Sequence, residues 1–155
     1  MESLTLALPY APSDNERYIG RTKTLSPIVN AYRRAVETTK LEKRVPRISD
    51  NVKVQVSLFP ANERRDSMNC MKVLLDTLET VGVLKNDRQV KEVEIFRGKV
   101  HPSDIMIVRF LPWLGFIPDD PQEIAERAGT FVSANDLASI RAKVPMLDKK
   151  VFRRK

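Results

Sequence analysis

Between Val52 and Leu78 the chain changes its hydrophobic period. Val52, Val54, Val56 and Leu58 alternate with Lys53, Gln55 and Ser57, whereas Met71, Leu74, Leu75 and Leu78 recur at the spacing of one helical face. A strand cannot place the second set on one side, nor a helix the first. The segment therefore reads as a strand stopped by Pro60, then a helix from about Ser67 to Val81 with Gly82 just beyond its end. The same succession occurs earlier. Leu4, Leu6 and Leu8 alternate up to Pro9, and Ser26 followed by Pro27 starts a helix. Val29, Tyr32 and Val36 form the buried face of that helix, which runs to about Lys40. Val93 and Ile95 indicate a third strand. A fourth follows the turn from Gly98 to Asp104, with Ile105 and Ile107 on one face and Met106, Val108 and Phe110 on the other.

These elements predict an α/β fold: a small mixed four-stranded sheet with two main helices within residues 1–110. Residues 111–155 have another texture. Pro112, Gly115, Pro118 and Pro121 interrupt the chain, Asp120 to Glu123 has the cap, proline and acid of a helix start, and a short helix should close at Gly129. Ser133 to Asp136 caps a second one, stopped by Pro145, and the tail carries Lys149, Lys150, Arg153, Arg154 and Lys155 against Asp148 alone. This helical extension with its basic tail is expected to be part of the same domain.

At 155 residues the chain is long enough for one proper core. Its 27 basic and 20 acidic residues give a net charge of +7, which favours a polyanionic partner over acidic proteins or neutral metabolites. Cys70 is the only cysteine, so no internal disulfide can form, and His101 without a Cys or His partner makes no zinc pattern. The sequence has no basic-then-apolar leader and no apolar run of about 18 residues, so neither export nor a membrane span is expected. Aromatic residues make up 6%, and no aromatic-rich RNA-binding motif occurs, which disfavours an RNA-associated module.

Chemistry concentrates where the second strand gives way to the second helix. Arg64-Arg65-Asp66-Ser67-Met68-Asn69-Cys70-Met71-Lys72 combines groups suited to phosphodiester chemistry. The carboxylate can hold a divalent cation, the arginines can hold phosphates, and the lysine can offset charge building on phosphorus or a departing oxygen. Plainer roles are open to the same residues. Asp66 would serve as a helix cap worth about 1 kcal/mol, Lys72 and Asp76 as a surface pair, and Asp87 as an ordinary turn residue.

Two separated stretches resemble the RusA-type Holliday-junction resolvases. Leu8-Pro9-Tyr10-Ala11-Pro12-Ser13-Asp14-Asn15, then Gly20-Arg21-Thr22 and Ser26 to Arg33, is similar to the family's L-P-x-P-P-S-x-N loop and first helix. Arg64 to Asn69, Lys72, Asp76-x-Leu78 and Asn86-Asp87-Arg88-Gln89-Val90 are similar to its R-R-D-x-D-N, lysine, D-A-L and D-D-x-Q series. The resemblance implies a homodimeric, Mg²⁺-dependent endonuclease, with Mn²⁺ as a substitute ion and no small-molecule cofactor. It would cut four-way DNA junctions by paired, symmetric nicks in the cytoplasm of a bacterial or phage-infected cell.

Carried over, Asp66 and Asp87 are the metal-binding catalytic acids and Lys72 the catalytic lysine. Arg64, Arg65 and Asn69 are expected to contact DNA, together with Arg17, Arg21 and Lys23 of the N-terminal loop. Two positions depart from the pattern. Met68 stands where the family has the second acid of its D-x-D pair, and Asn86 where it has the first of two later acids. A thioether is soft, and Mg²⁺ requires hard oxygen ligands. Two readings follow: a nuclease working with fewer carboxylates, with Glu63, Asp76 or Glu92 as candidate substitutes, or a branched-DNA binder that no longer cuts.

Overall fold

The computed structural model describes residues 2–115 and the pair 138–139. Two compact units divide the chain, Met1–Leu114 and Gly115–Lys155, and the sheet and both main helices belong to the first. The expected helices after Asp120 and Asp136 and the basic tail fall essentially outside the described residues.

Strand β1 (Leu4–Pro9) is followed by a short 3-10 turn at Asp14–Glu16 and helix α1 (Pro27–Glu42). Then come β2 (Val52–Phe59), helix α2 (Asn69–Thr80), a second 3-10 turn at Asp87–Gln89, β3 (Val90–Arg97) and β4 (Ile105–Pro112). The sheet order is β1-β4-β2-β3. β4 lies antiparallel to both β1 and β2, and β2 runs parallel to β3 through the α2 crossover.

Each element follows from its local sequence. Ser26 accepts a hydrogen bond from the Val29 amide at the start of α1, and Pro27 occupies a first-turn position where its missing N–H costs nothing. Val29, Tyr32 and Val36 are buried, as the period predicts. Every second residue of β2 is buried, Val52, Val54, Val56 and Leu58, and Met106, Val108 and Phe110 of β4 join them. α2 lays Met71, Leu74 and Leu78 on that face, with Cys70, Val73 and Thr77 also buried. Gly82 sits beyond α2 at φ +75°, a conformation that a side chain would strain.

The start of α2 differs from expectation. The helix opens at Asn69, and Met68 occupies the cap position with helical backbone angles and no side-chain cap bond. The capping is done by Asp66 from one turn earlier, whose Oδ1 accepts the amides of Met68 at 2.8 Å and Asn69 at 3.3 Å. Met68 is thus turned away from the core and is 67% exposed.

Candidate functional site

The 61–68 loop carries the arginines and Asp66, and it is held from three sides. Asn62 begins it, its Oδ1 accepting the Arg64 amide at 3.0 Å. Asp104, at the entrance to β4, accepts the Ala61 amide at 2.8 Å and pairs with the Arg65 guanidinium through its other oxygen. Asp104 has φ +48°, a left-handed conformation that aspartate tolerates better than most residues. Arg97, at the end of β3, donates to the carbonyls of Arg65 at 2.8 Å and Glu63 at 2.9 Å and to Ser67 Oγ at 2.7 Å. Arg65 also lies 5.0 Å over the ring of Tyr10, completing a clamp drawn from β1, β3 and β4.

Asp66 is aimed by this clamp. Besides the two amides on Oδ1, its Oδ2 accepts Asn69 Nδ2 at 2.7 Å. A carboxylate offers about four acceptor sites, so one site on Oδ2 stays open while the group is exposed to solvent. Asn69 therefore orients Asp66. Beneath the loop the Tyr10 phenol is pushed up to about 12 by burial and by the neighbouring Cys70. Burial also raises the Cys70 thiol, a small buried side chain.

Lys72 lies on the exposed side of α2. The loop after β1 brings Asp14 to 4.0 Å from its ammonium, and Asp14 also pairs with Arg17 at 3.4 Å. Arg17 reaches on to Asp76 of α2, one turn past Lys72. Burial works against the Arg17 charge, but the Asp76 and Asp14 carboxylates outweigh it and raise its pKa above the ordinary value. Arg17 is thus part of an ion-pair chain running from Lys72 through Asp14 to Asp76. Arg21 and Lys23 are exposed in a tight excursion closed by the Tyr18 and Leu25 bridge, and Arg64 is exposed beside the loop clamp.

Asp87 opens the turn before β3. Asn86 caps that turn by accepting the Arg88 amide at 2.8 Å. The buried Gln89 locks it: Oε1 accepts the amides of Lys85 and Asn86, and Nε2 donates to the carbonyls of Ile48 and Asp50. The Asp87 amide donates to Glu79 Oε2 at 3.0 Å, and the carboxylate is exposed. Glu79 lies near the far end of α2 from Asp66, a rise of about 15 Å from Asn69 at 1.5 Å per residue.

The family model described as Endodeoxyribonuclease RusA matches residues 9–107. The chain belongs to the RusA endodeoxyribonuclease family. No curated protein matches it. RusA enzymes resolve Holliday junctions, act on branched DNA and are typically divalent-metal dependent. Within this RusA chain the donor set is sparse. Among the described residues no three His, Cys, Asp or Glu side chains gather as a metal cluster. Glu63 pairs with Arg97 at 3.6 Å and Asp76 with Arg17. Glu92 pairs with Lys53 at 2.9 Å on the sheet face turned away from α2, so it cannot replace an acid at the loop. The open oxygen of Asp66 still suits one hard cation completed by water and substrate phosphate, a common arrangement for Mg²⁺.

Sequence spacing alone missed Asp14, Arg97, Asp104 and the structural role of Gln89. Asp14 stands at an unspecified position of its motif, and Arg97 and Asp104 lie far along the chain from the loop they hold. No helix among the described residues is long and apolar enough to cross a membrane.

Proposed function

We propose that this chain is a homodimeric, structure-selective endonuclease that resolves four-way DNA junctions by divalent-metal-dependent phosphodiester hydrolysis. The observation that carries the reading is the fixed, exposed Asp66 carboxylate with one open acceptor site, set between Arg65 and Lys72 in a RusA chain. Asp66 would hold the cation, Mg²⁺ or Mn²⁺, whose chemistry is to polarise a phosphoryl oxygen and lower the pKa of a bound water. Asp87, tied to Glu79 near the far end of α2, would lie too far away to share that ion within one chain.

The chain's own groups supply the remainder. Arg65, stacked on Tyr10 and steered by Asp104, presents a preorganised donor to a phosphate oxygen. Lys72 places a cation where negative charge develops, and Asp14 keeps that ammonium near the helix surface. Arg64, Arg21 and Lys23 extend the basic surface along the DNA. Two nicks across a two-fold junction call for two such centres, hence two copies of the chain.

One observation favours a non-catalytic branched-DNA binder instead. Met68 places an exposed thioether where the family has an acid, and no three-acid cluster takes its place among the described residues. The deciding experiment mixes the purified protein with a labelled four-way junction, or linear duplex of the same sequence, in Mg²⁺ or Mn²⁺. Symmetric nicks lost in Asp66→Asn support the nuclease. Tight junction binding without product in either metal supports the binder, and equal affinity for linear duplex refutes both.

A further inference from the structure

Beside α2 opens a cleft of about 500 Å³ lined by Arg17, Arg33, Arg47, Asp76, Glu79, Thr80 and Lys85. Four cations face two acids. Both acids are engaged: Asp76 pairs with Arg17, and Glu79 accepts the Asp87 amide at 3.0 Å. Arg33, Arg47 and Lys85 have no ion-pair partner among the described residues, and the buried Arg33 Nε has no hydrogen-bond partner there. Glu79 keeps its charge, so three unpaired cations share one carboxylate and the cleft stays net positive; such groups repel one another, and an unpaired buried donor on a cation is costly. An anion seated between them relieves both penalties.

The walls are built to stay in place. The connection before β2, which carries Arg47, is tied to the segment after α2, which carries Lys85. Ile48 N donates to Val83 O at 2.8 Å, Lys85 N to Ile48 O at 3.2 Å, and Gln89 Nε2 to the carbonyls of Ile48 and Asp50. The backbone positions that carry the two cations are thus held relative to each other by hydrogen bonds between the walls. Small-molecule sites are mostly apolar and enclosed, whereas this cleft is open and lined mainly by charged groups. A polymer backbone passing through fits it better than a metabolite. Glu79 links the cleft to the Asp87 turn, so a strand leaving the candidate centre on that side would run into it.

We propose that Arg33, Arg47 and Lys85 form a second phosphate-binding site for the DNA strand flanking the cut, separate from the arginines of the 61–68 loop. The proposal rests on the junction-binding reading above, and its test separates the two. Junction affinity is measured against salt concentration in EDTA for the wild type, for Arg47→Ala/Lys85→Ala, and for a charge-matched control, Lys91→Ala/Arg109→Ala, at exposed cations of β3 and β4.

Each lost phosphate contact removes about 0.9 from the slope of log affinity against log salt. The cleft variant should therefore lose between about one and two units of slope and bind at least tenfold more weakly at low salt, while the control keeps its slope. In Mg²⁺, nicking at saturating DNA should match the wild type, because the cleft binds DNA and does not touch the reacting phosphate. An unchanged slope in the cleft variant, or an equal loss in the control, overturns the proposal. A wild type that fails to prefer junctions refutes the underlying reading instead.

Discussion

Met68→Asp tests whether the open side of Asp66 faces a metal ion. Met68 is 67% exposed, so removing its thioether forfeits about a third of a buried methionine, roughly 0.5–1 kcal/mol. A new carboxylate at the start of α2 gains about 0.3–1 kcal/mol from the helix dipole. No capping bond is added, because the backbone at residue 68 has φ −93° and ψ −41°, not the extended form a cap requires. Repulsion from Asp66 at about 6 Å costs about 0.7 kcal/mol in water. In EDTA the variant should therefore be about 0.2–1.4 kcal/mol less stable than the wild type.

Divalent metal should reverse that order. A hard oxygen replaces a soft sulfur beside Asp66, and each tenfold gain in affinity is worth about 1.4 kcal/mol of binding free energy. Ion at about a hundred times its dissociation constant adds about 2.7 kcal/mol to the folded state. Urea unfolding with and without Mg²⁺, together with calorimetric titration of Mg²⁺, reads both quantities, and single-turnover nicking of a junction should quicken in parallel. If Mg²⁺ stabilises both proteins equally and the nicking rate does not change, residue 68 does not face an ion and the placement of the metal at Asp66 fails.

Asp104→Ala should cost about 2–3 kcal/mol in urea unfolding, because it removes two acceptor contacts and puts alanine at φ +48°. Asp104→Asn, which tolerates that angle and keeps the Ala61 bond, should cost under about 1 kcal/mol; equal losses would refute the clamp. Arg65→Ala should lower the salt slope of junction binding by about 0.9, and an unaltered slope would show that Arg65 does not touch phosphate. The Tyr10 phenol is raised by burial from 10.0 to about 12, so its folded form holds its proton longer than the unfolded chain. The stability it lends is complete below pH 10 and fades as pH climbs toward 12, so Tyr10→Phe should flatten that decline. Identical alkaline unfolding of the two proteins would count against the burial of Tyr10.

The regular elements were legible because each is written in local periodicity. The Val52 to Leu58 alternation, the Ser26-Pro27 start and Gly82 after α2 all occur where the pattern places them. Asp66 was legible as a helix cap, and it does accept the first amides of α2, but the helix opens at Asn69, not at about Ser67, and Met68 is left to solvent. The surroundings of the candidate site were invisible for a different reason. Arg97 holds Ser67 across 30 positions and Asp104 holds Arg65 across 39, and no local pattern encodes partners brought together by sheet pairing. The family motif marked Gln89, but only the structure shows that it works by fixing the turn that carries Asp87.

The position of β4 has a consequence for how this protein comes into being. It is the last strand of the sheet in chain order, yet it lies between β1 and β2, contributes Asp104 at its entrance and supplies the antiparallel partner of both neighbours. Until it arrives, β1 has no strand neighbour and β2 has an open edge, so a growing chain exposes unpaired backbone groups on both strands. The loop bearing Arg65 and Asp66 is then also without its clamp. A ribosome-bound or truncated fragment ending before residue 105 should carry the motif without the geometry, since the loop gains its Asp104 hold only with the closing strand.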